Sequence, residues 1–184
     1  MIIGVDRAQQ AGKHDLKHMM LKDRGIRLLS LPLPVGDYVN VSDEMIDVIK
    51  RRRDKLKKMD LIGLVTASVD TKRSISELYA NLITHHDRFS DECNLAKNNG
   101  IQLYIVTENT EGIETEEDLP QWQNESAWNT WRKKQKNGIK CKPPATPTTL
   151  RKIMCTMTEK YGVEFLFCHP EETAEIIESL LSEE

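Results

Sequence analysis

Short apolar runs and segments of helical period alternate along the chain. Ile2 to Val5 is compact and largely β-branched, and Asp6 ends it. This predicts a buried strand with a carboxylate at its C-terminal end. Residues 14–24 read as a helix that Gly25 stops. Ile26 to Leu31 predicts a second strand, which Pro32 and Pro34 interrupt. Val35-Gly36-Asp37-Tyr38-Val39 then makes a turn into a third strand. Residues 43–59 predict a helix with Met45, Ile49, Leu56 and Met59 on one side and basic residues on the other, and Leu61 to Asp70 predicts a strand. Ser74 to Asn98 carries the strongest helical signal: Ile75, Leu78, Tyr79 and Leu82 are spaced i, i+3, i+4, i+7, and Phe89, Cys93 and Ala96 extend that face. Ile101 to Val106 is a continuous apolar run, as a strand covered on both faces requires. Pro147 opens a helix with Leu150, Ile153, Met154 and Met157 inward, Val163 to Cys168 gives a last strand, and Pro170 starts a last helix with Glu171 and Glu172 in its first turn.

This alternation places the chain in the α/β class, with a mixed, partly parallel central sheet flanked by helices. Residues 109–146 break the rhythm. They begin acidic, contain Trp122, Trp128 and Trp131, and end basic and proline-rich. They predict a surface excursion with one short helix near residues 127–135, after which residues 147–184 complete the same domain as helix, strand and helix.

Composition narrows the class without naming a chemistry. The 184 residues are 39% hydrophobic and 30% charged, as in a folded soluble protein. The longest apolar stretch, Leu61 to Val65, is far short of the roughly 20 residues of a membrane span, so no membrane partner is expected. The N-terminus shows no secretory pattern. Cys93, Cys141, Cys155 and Cys168 lie far apart, as scattered reduced thiols do, and lack the spacing of a zinc site. These features predict a cytoplasmic protein.

Charge is segregated although the net value is only −3. Residues 50–58 hold seven basic residues and one acidic, and residues 132–142 hold six basic and none acidic. Residues 108–118 hold six acidic residues and no basic one, and the segment from Glu171 to Glu184 is again acidic. Two basic blocks raise the expectation of a phosphate-bearing partner, and residues 50–58 are the candidate contact to a phosphate backbone.

The candidate chemistry lies in Gly36-Asp37-Tyr38 and Val69-Asp70-Thr71-Lys72. Side chains alternate along a strand, so Asp70 and Lys72 share one face. Asp37 completes a site if its strand pairs alongside. Mg²⁺ takes one or two carboxylates and keeps several waters, so Asp37 and Asp70 suit it as ligands from separate elements. Lys72 would hold the attacking water or stabilise charge on the transferring phosphate. Asp70 favours the charged form of Lys72 and burial favours the neutral form, two effects that the sequence leaves unranked.

The same residues resemble the XPF-type nuclease domain, a branch of the restriction-endonuclease-like superfamily. Asp6 stands at the family's first Asp, and Leu33-Pro34-Val35-Gly36-Asp37-Tyr38 matches its second block. Val69-Asp70-Thr71-Lys72 stands at the family's E-R-K block, Asp87-Arg88-Phe89 at its Arg-Leu/Phe block with Glu92 where Gln is frequent, and Tyr104 to Glu108 at the strand that follows. The match spans roughly residues 2–108, a nuclease-like core. The run Ala11-Gly12-Lys13-His14, together with Val-Asp-Thr-Lys, resembles a small bacterial or prophage branch.

The resemblance implies a Mg²⁺- or Mn²⁺-dependent endonuclease that cleaves branched or flapped DNA in recombination or repair, in a bacterial or phage-infected cell. It implies Asp37, Asp70 and the backbone carbonyl of Thr71 as metal ligands, Lys72 as a catalytic residue and Asp6 as a supporting acid. Relatives often dimerise, so a homodimer is a further expectation. Three departures stand out: Ala8 and Gln9 occupy the family's Arg and Glu positions, and Glu77 comes one residue late. They motivate a second expectation, a non-catalytic DNA-binding or partner subunit that keeps the fold. A third reading makes the tryptophan-rich excursion a protein-interaction module.

Overall fold

A computed structural model describes residues 1–9 and 12–182. Ala11 of the resemblance run and the last two glutamates of the acidic segment lie outside the described residues. Strands β1 (Ile2–Asp6), β2 (Arg27–Leu31), β3 (Tyr38–Asn40), β4 (Ala67–Lys72), β5 (Gln102–Glu108) and β6 (Glu164–Cys168) form one sheet in the order β2-β1-β3-β4-β5-β6. The β1–β2, β4–β5 and β5–β6 pairs are parallel, while β3 is antiparallel to both neighbours. Five strands therefore run one way and β3 runs against them.

Helices cover both faces. Helices α1 (Asp15–Asp23) and α7 (Thr173–Ser182) pack over Ile3, Val5, Val69 and Val106 through Leu21, Ile177 and Leu181. The other face carries α2 (Asp43–Arg52), α3 (Ile75–Tyr79), α4 (His86–Asn98) and α6 (Pro147–Tyr161), which bury Met45, Leu78, Phe89 and Met154 against Leu103 and Ile105. Period-2 alternation in β4 and β5 thus feeds two separate cores. A buried ion pair, Lys17 Nζ to Glu108 Oε1 at 2.8 Å, ties α1 to the end of β5, and the Thr173 hydroxyl donates to the same oxygen at 2.9 Å. Among the described residues no helix is long and apolar enough to cross a membrane.

Four elements differ from the sequence expectation. The basic helix ends at Arg52, because Arg53 takes a left-handed conformation (φ 49°) and two 3₁₀ turns follow. Like charges crowd successive turns there, which disfavours continuing the helix. The next strand begins at Ala67, not Leu61, since residues 61–64 form a turn containing Gly63 at φ +84°. The helix expected over 74–98 is divided by a π turn at Ala80–Thr84 and a break at His85. Pro170 lies in a turn closed by the Glu172 N–H to the His169 carbonyl, and α7 starts three residues later.

The segment after β5 is less superficial than its composition suggests. It holds a 3₁₀ turn (Glu116–Gln121) and helix α5 (Glu125–Lys136), and it buries Ile113, Leu119 and Trp122 in the main core. Asn109 folds it back by donating to the Ile113 carbonyl (2.8 Å) and accepting from the Ile113 N–H (3.1 Å). Trp122 packs on Tyr79, while Trp128 and Trp131 meet edge to face on α5.

Candidate active site

The strand directions gather the candidate residues. The C-terminal ends of β1 and β4 and the N-terminal end of antiparallel β3 lie at one edge of the sheet, where open α/β folds bind ligands. Asp6, Asp37, Asp70 and Lys72 therefore converge, and all four line one cleft of about 530 Å³.

Asp37 is fixed by its own backbone and its neighbours. Its N–H donates to the Val69 carbonyl at 2.8 Å, and its carbonyl accepts from the Asp6 N–H at 2.9 Å. Its Oδ2 accepts from both the Thr71 N–H (3.0 Å) and the Thr71 hydroxyl (2.8 Å). The turn before it depends on Gly36, which sits at φ +67°; a Cβ there would stand 2.2 Å from Ser68 Oγ. Fully buried Ser68 donates from that oxygen to the carbonyls of Val35 (2.8 Å) and Tyr38 (3.2 Å), which pins the turn against β4.

Asp70 and Lys72 share a face of β4 and make a buried ion pair through Asp70 Oδ2. They are 6% and 7% exposed, which separates them from an ordinary surface pair. Burial pushes Asp70 up to about 7; Lys72 opposes that shift, and Asp37 and Glu92 add to it by repulsion. Burial also works against the charge on Lys72, but Asp70, with help from Asp37 and Glu92, outweighs it and holds the ammonium above the ordinary lysine range. The two shifts differ in origin: burial dominates for Asp70, whereas the surrounding carboxylates outweigh burial for Lys72. Of the two effects the sequence leaves unranked, the attraction of the carboxylates is the one that sets the direction for Lys72.

The remaining residues divide by role. Asp6 lines the cleft, and its Oδ1 caps the loop by accepting from the Leu33 N–H at 3.1 Å. Glu77 also lines the cleft, but its carboxylate accepts from the Arg73 N–H at 3.0 Å, while its own N–H bonds the Ser74 cap. Ala8 contributes to the cleft wall where the family resemblance expects Arg. Gln9 donates to the Asp37 carbonyl at 3.4 Å, and its buried Oε1 has no partner. Arg88 reaches the cleft together with His85, from the segment where the π turn interrupts the helix, a device frequent at functional sites.

Sequence reasoning missed Ser68, and it placed Glu92 in a family block without giving it a role in this site. Glu92 Oε1 accepts from the Gly36 N–H at 3.0 Å, so α4 holds the same turn from above. The signal available for Ser68 was its alternation with Asp70 and Lys72 along β4. Behind Asp37, the Tyr38 hydroxyl lies 3.3 Å from both His14 Nδ1, at the N-cap of α1, and His18 Nε2, one turn further on. Burial raises the Tyr38 pKa and lowers both imidazoles, His14 against attraction from Asp37 and His18 with added repulsion from His14.

The ERCC4 domain family matches residues 5–180. The chain belongs to that family. The resemblance to XPF-type nuclease domains is therefore borne out, and it extends well past residue 108. Among solved structures, XPF from Aeropyrum pernix is similar with a TM-score of 0.56 at 17% identity, over 99% of this chain and 60% of that one. XPF from Aeropyrum pernix in complex with DNA is similar with a TM-score of 0.56 at 17% identity, over 98% of this chain and 63% of that one. At this identity the likeness concerns the fold. The ERCC4 chain described here spans under two thirds of the length of either. No curated protein matches.

Proposed function

We propose that this ERCC4 domain is a divalent-metal-dependent DNA endonuclease that hydrolyses phosphodiester bonds, with branched or flapped DNA as its substrate in recombination or repair. The observation that carries the reading is the convergence in one cleft of Asp37, from the turn before β3, with Asp70 and Lys72 of β4. The DNA seen with one XPF of the same fold supports the choice of polymer.

The donor set fits Mg²⁺ or Mn²⁺. Among the described residues, no three His, Cys, Asp or Glu side chains gather to hold a metal ion. Asp37, Asp70 and the Thr71 backbone carbonyl would instead form a hard, all-oxygen set, of the kind these ions prefer with waters completing the shell. The carboxylate contacts described above use Oδ2 in each case, so Oδ1 of both residues remains outside those bonds. When bound, the ion supplies a Lewis acid for the phosphate and its attacking water. Thr71 orients the Asp37 carboxylate. Asp70 keeps Lys72 charged at a fixed position, from which it holds the attacking water or stabilises negative charge building on the phosphate. Asp6 supports the loop that carries Leu33.

The direct test incubates purified protein with a flap, a junction and a linear duplex, with Mg²⁺ or with EDTA. Nicking of the flap or junction with Mg²⁺ and none with EDTA is the expected result. The departures from the family pattern at Ala8, Gln9 and Glu77 motivate one alternative, a DNA-binding subunit that has lost turnover. Salt-sensitive binding to these DNAs with no cleavage in Mg²⁺ or Mn²⁺ would select that alternative.

A further inference from the structure

The basic run between β3 and β4 is not a loose charged loop. Leu56 within it and Leu61 just beyond it are buried in the main core that also holds Met45 and Val65. Arg52 pairs with Asp60 Oδ1 at 2.9 Å, and the Lys57 N–H donates to Asp60 Oδ2 at 2.9 Å, which ties the end of α2 to the second 3₁₀ turn. Around these anchors Lys50, which also pairs with Asp47, and Arg51, Arg53, Lys55 and Lys57 are exposed, with Asp54 the one acidic residue among them. Lys58, the next residue, is part of the wall of the candidate active-site cleft. An exposed group of cations on an anchored segment thus adjoins the cleft through Lys58, in a chain whose net charge is −3.

We propose that residues 50–58 form a platform that grips the phosphate backbone of the DNA flanking the scissile bond, with Lys58 marking the point where the strand enters the cleft. The inference rests on the DNA-nuclease reading and adds to it the surface that positions the substrate. Charge complementarity identifies the occupant: cations at short intervals match a polymer that carries a phosphate at each nucleotide, and continuity with the cleft selects DNA over other polyanions. Prior ordering of the backbone by Leu56, Leu61 and Asp60 lowers the entropy lost when the phosphates dock. Platform contacts of this kind fix register without reading sequence.

The test measures binding, so it is independent of turnover. Arg51→Gln/Lys55→Gln/Lys57→Gln leaves Arg52, Arg53 and the buried leucines intact, and unchanged circular dichroism checks the fold. Affinity for a fluorescent flap DNA is measured in EDTA across a salt series. Each lost phosphate contact flattens the log–log salt dependence by about 0.9. Between about 50 and 200 mM salt the wild type should therefore lose about 40-fold more affinity than the triple variant. Equal slopes would overturn the platform. So would a flattened slope appearing only in Lys133→Gln/Lys134→Gln/Lys136→Gln on α5. Loss of cleavage with this salt behaviour preserved would count against the nuclease reading and not against the platform.

Discussion

Lys72→Ala protein is expected to bind flap DNA but to cut it about 10²–10³-fold more slowly than wild type, the usual loss when one preorganised charge-stabilising donor is removed. The ammonium is held in a buried cleft by Asp70, where its charge is little screened and needs no rearrangement as negative charge develops on the phosphate. Removing it leaves Asp70 buried beside two like charges, so lost folding could imitate lost catalysis. Asp37→Asn separates the two effects. The asparagine amide oxygen still accepts from Thr71, whose N–H and hydroxyl hold this side chain, but it is a poor ligand for a hard cation. Single-turnover rates with Mg²⁺, read beside DNA affinity in EDTA, should show both variants binding and neither cutting at more than about a hundredth of the wild-type rate. Rates within tenfold of wild type in both would remove the assigned chemistry from this cleft.

The second large effect concerns the turn that presents Asp37. Gly36→Ala forces a side chain into a left-handed conformation, at about 1–2 kcal/mol, and drives its Cβ toward Ser68 Oγ, which lies 2.2 Å from the ideal position. Ser68 must then leave the Val35 and Tyr38 carbonyls, and a buried polar group without a partner costs about 1–3 kcal/mol more. For a chain of this size the sum predicts a Tm lowered by about 5–15 °C, with activity lost because Asp37 moves. Calorimetry of Gly36→Ala in wild-type and Ser68→Ala backgrounds makes a double-mutant cycle. The glycine substitution should cost clearly less when the Ser68 hydroxyl is absent. An equal cost in both backgrounds would show that the collision is not what requires glycine.

Much of this site was legible in the sequence because strands have a period of two. Asp70 and Lys72 must share a face once Val69 and Thr71 are assigned to the other, and the Gly-Asp-Tyr turn announces a backbone position that only glycine fills comfortably. Sheet order was not legible: nothing in the spacing of Asp6, Asp37 and Asp70 says that β3 inserts between β1 and β4, yet that insertion brings the three together. Glu92 was placed by the resemblance but given no role, because that role is a bond to the Gly36 N–H across 56 residues, which no local pattern records. Helix breaks were missed for a related reason. Apolar spacing runs on from Ile75 to Ala96, and nothing in it marks the π turn at Ala80–Thr84 that lies between them. Trp122 was read as part of a surface excursion because its neighbours are acidic, whereas its packing on Tyr79 places it in the core.

The most direct measurement is an anomalous difference map from crystals soaked in Mn²⁺. A single strong peak within coordination distance of Asp37 and Asp70, lost in Asp37→Asn crystals, is the predicted result. Density for manganese elsewhere and none between those two carboxylates, in crystals of protein that still cuts DNA, would contradict it.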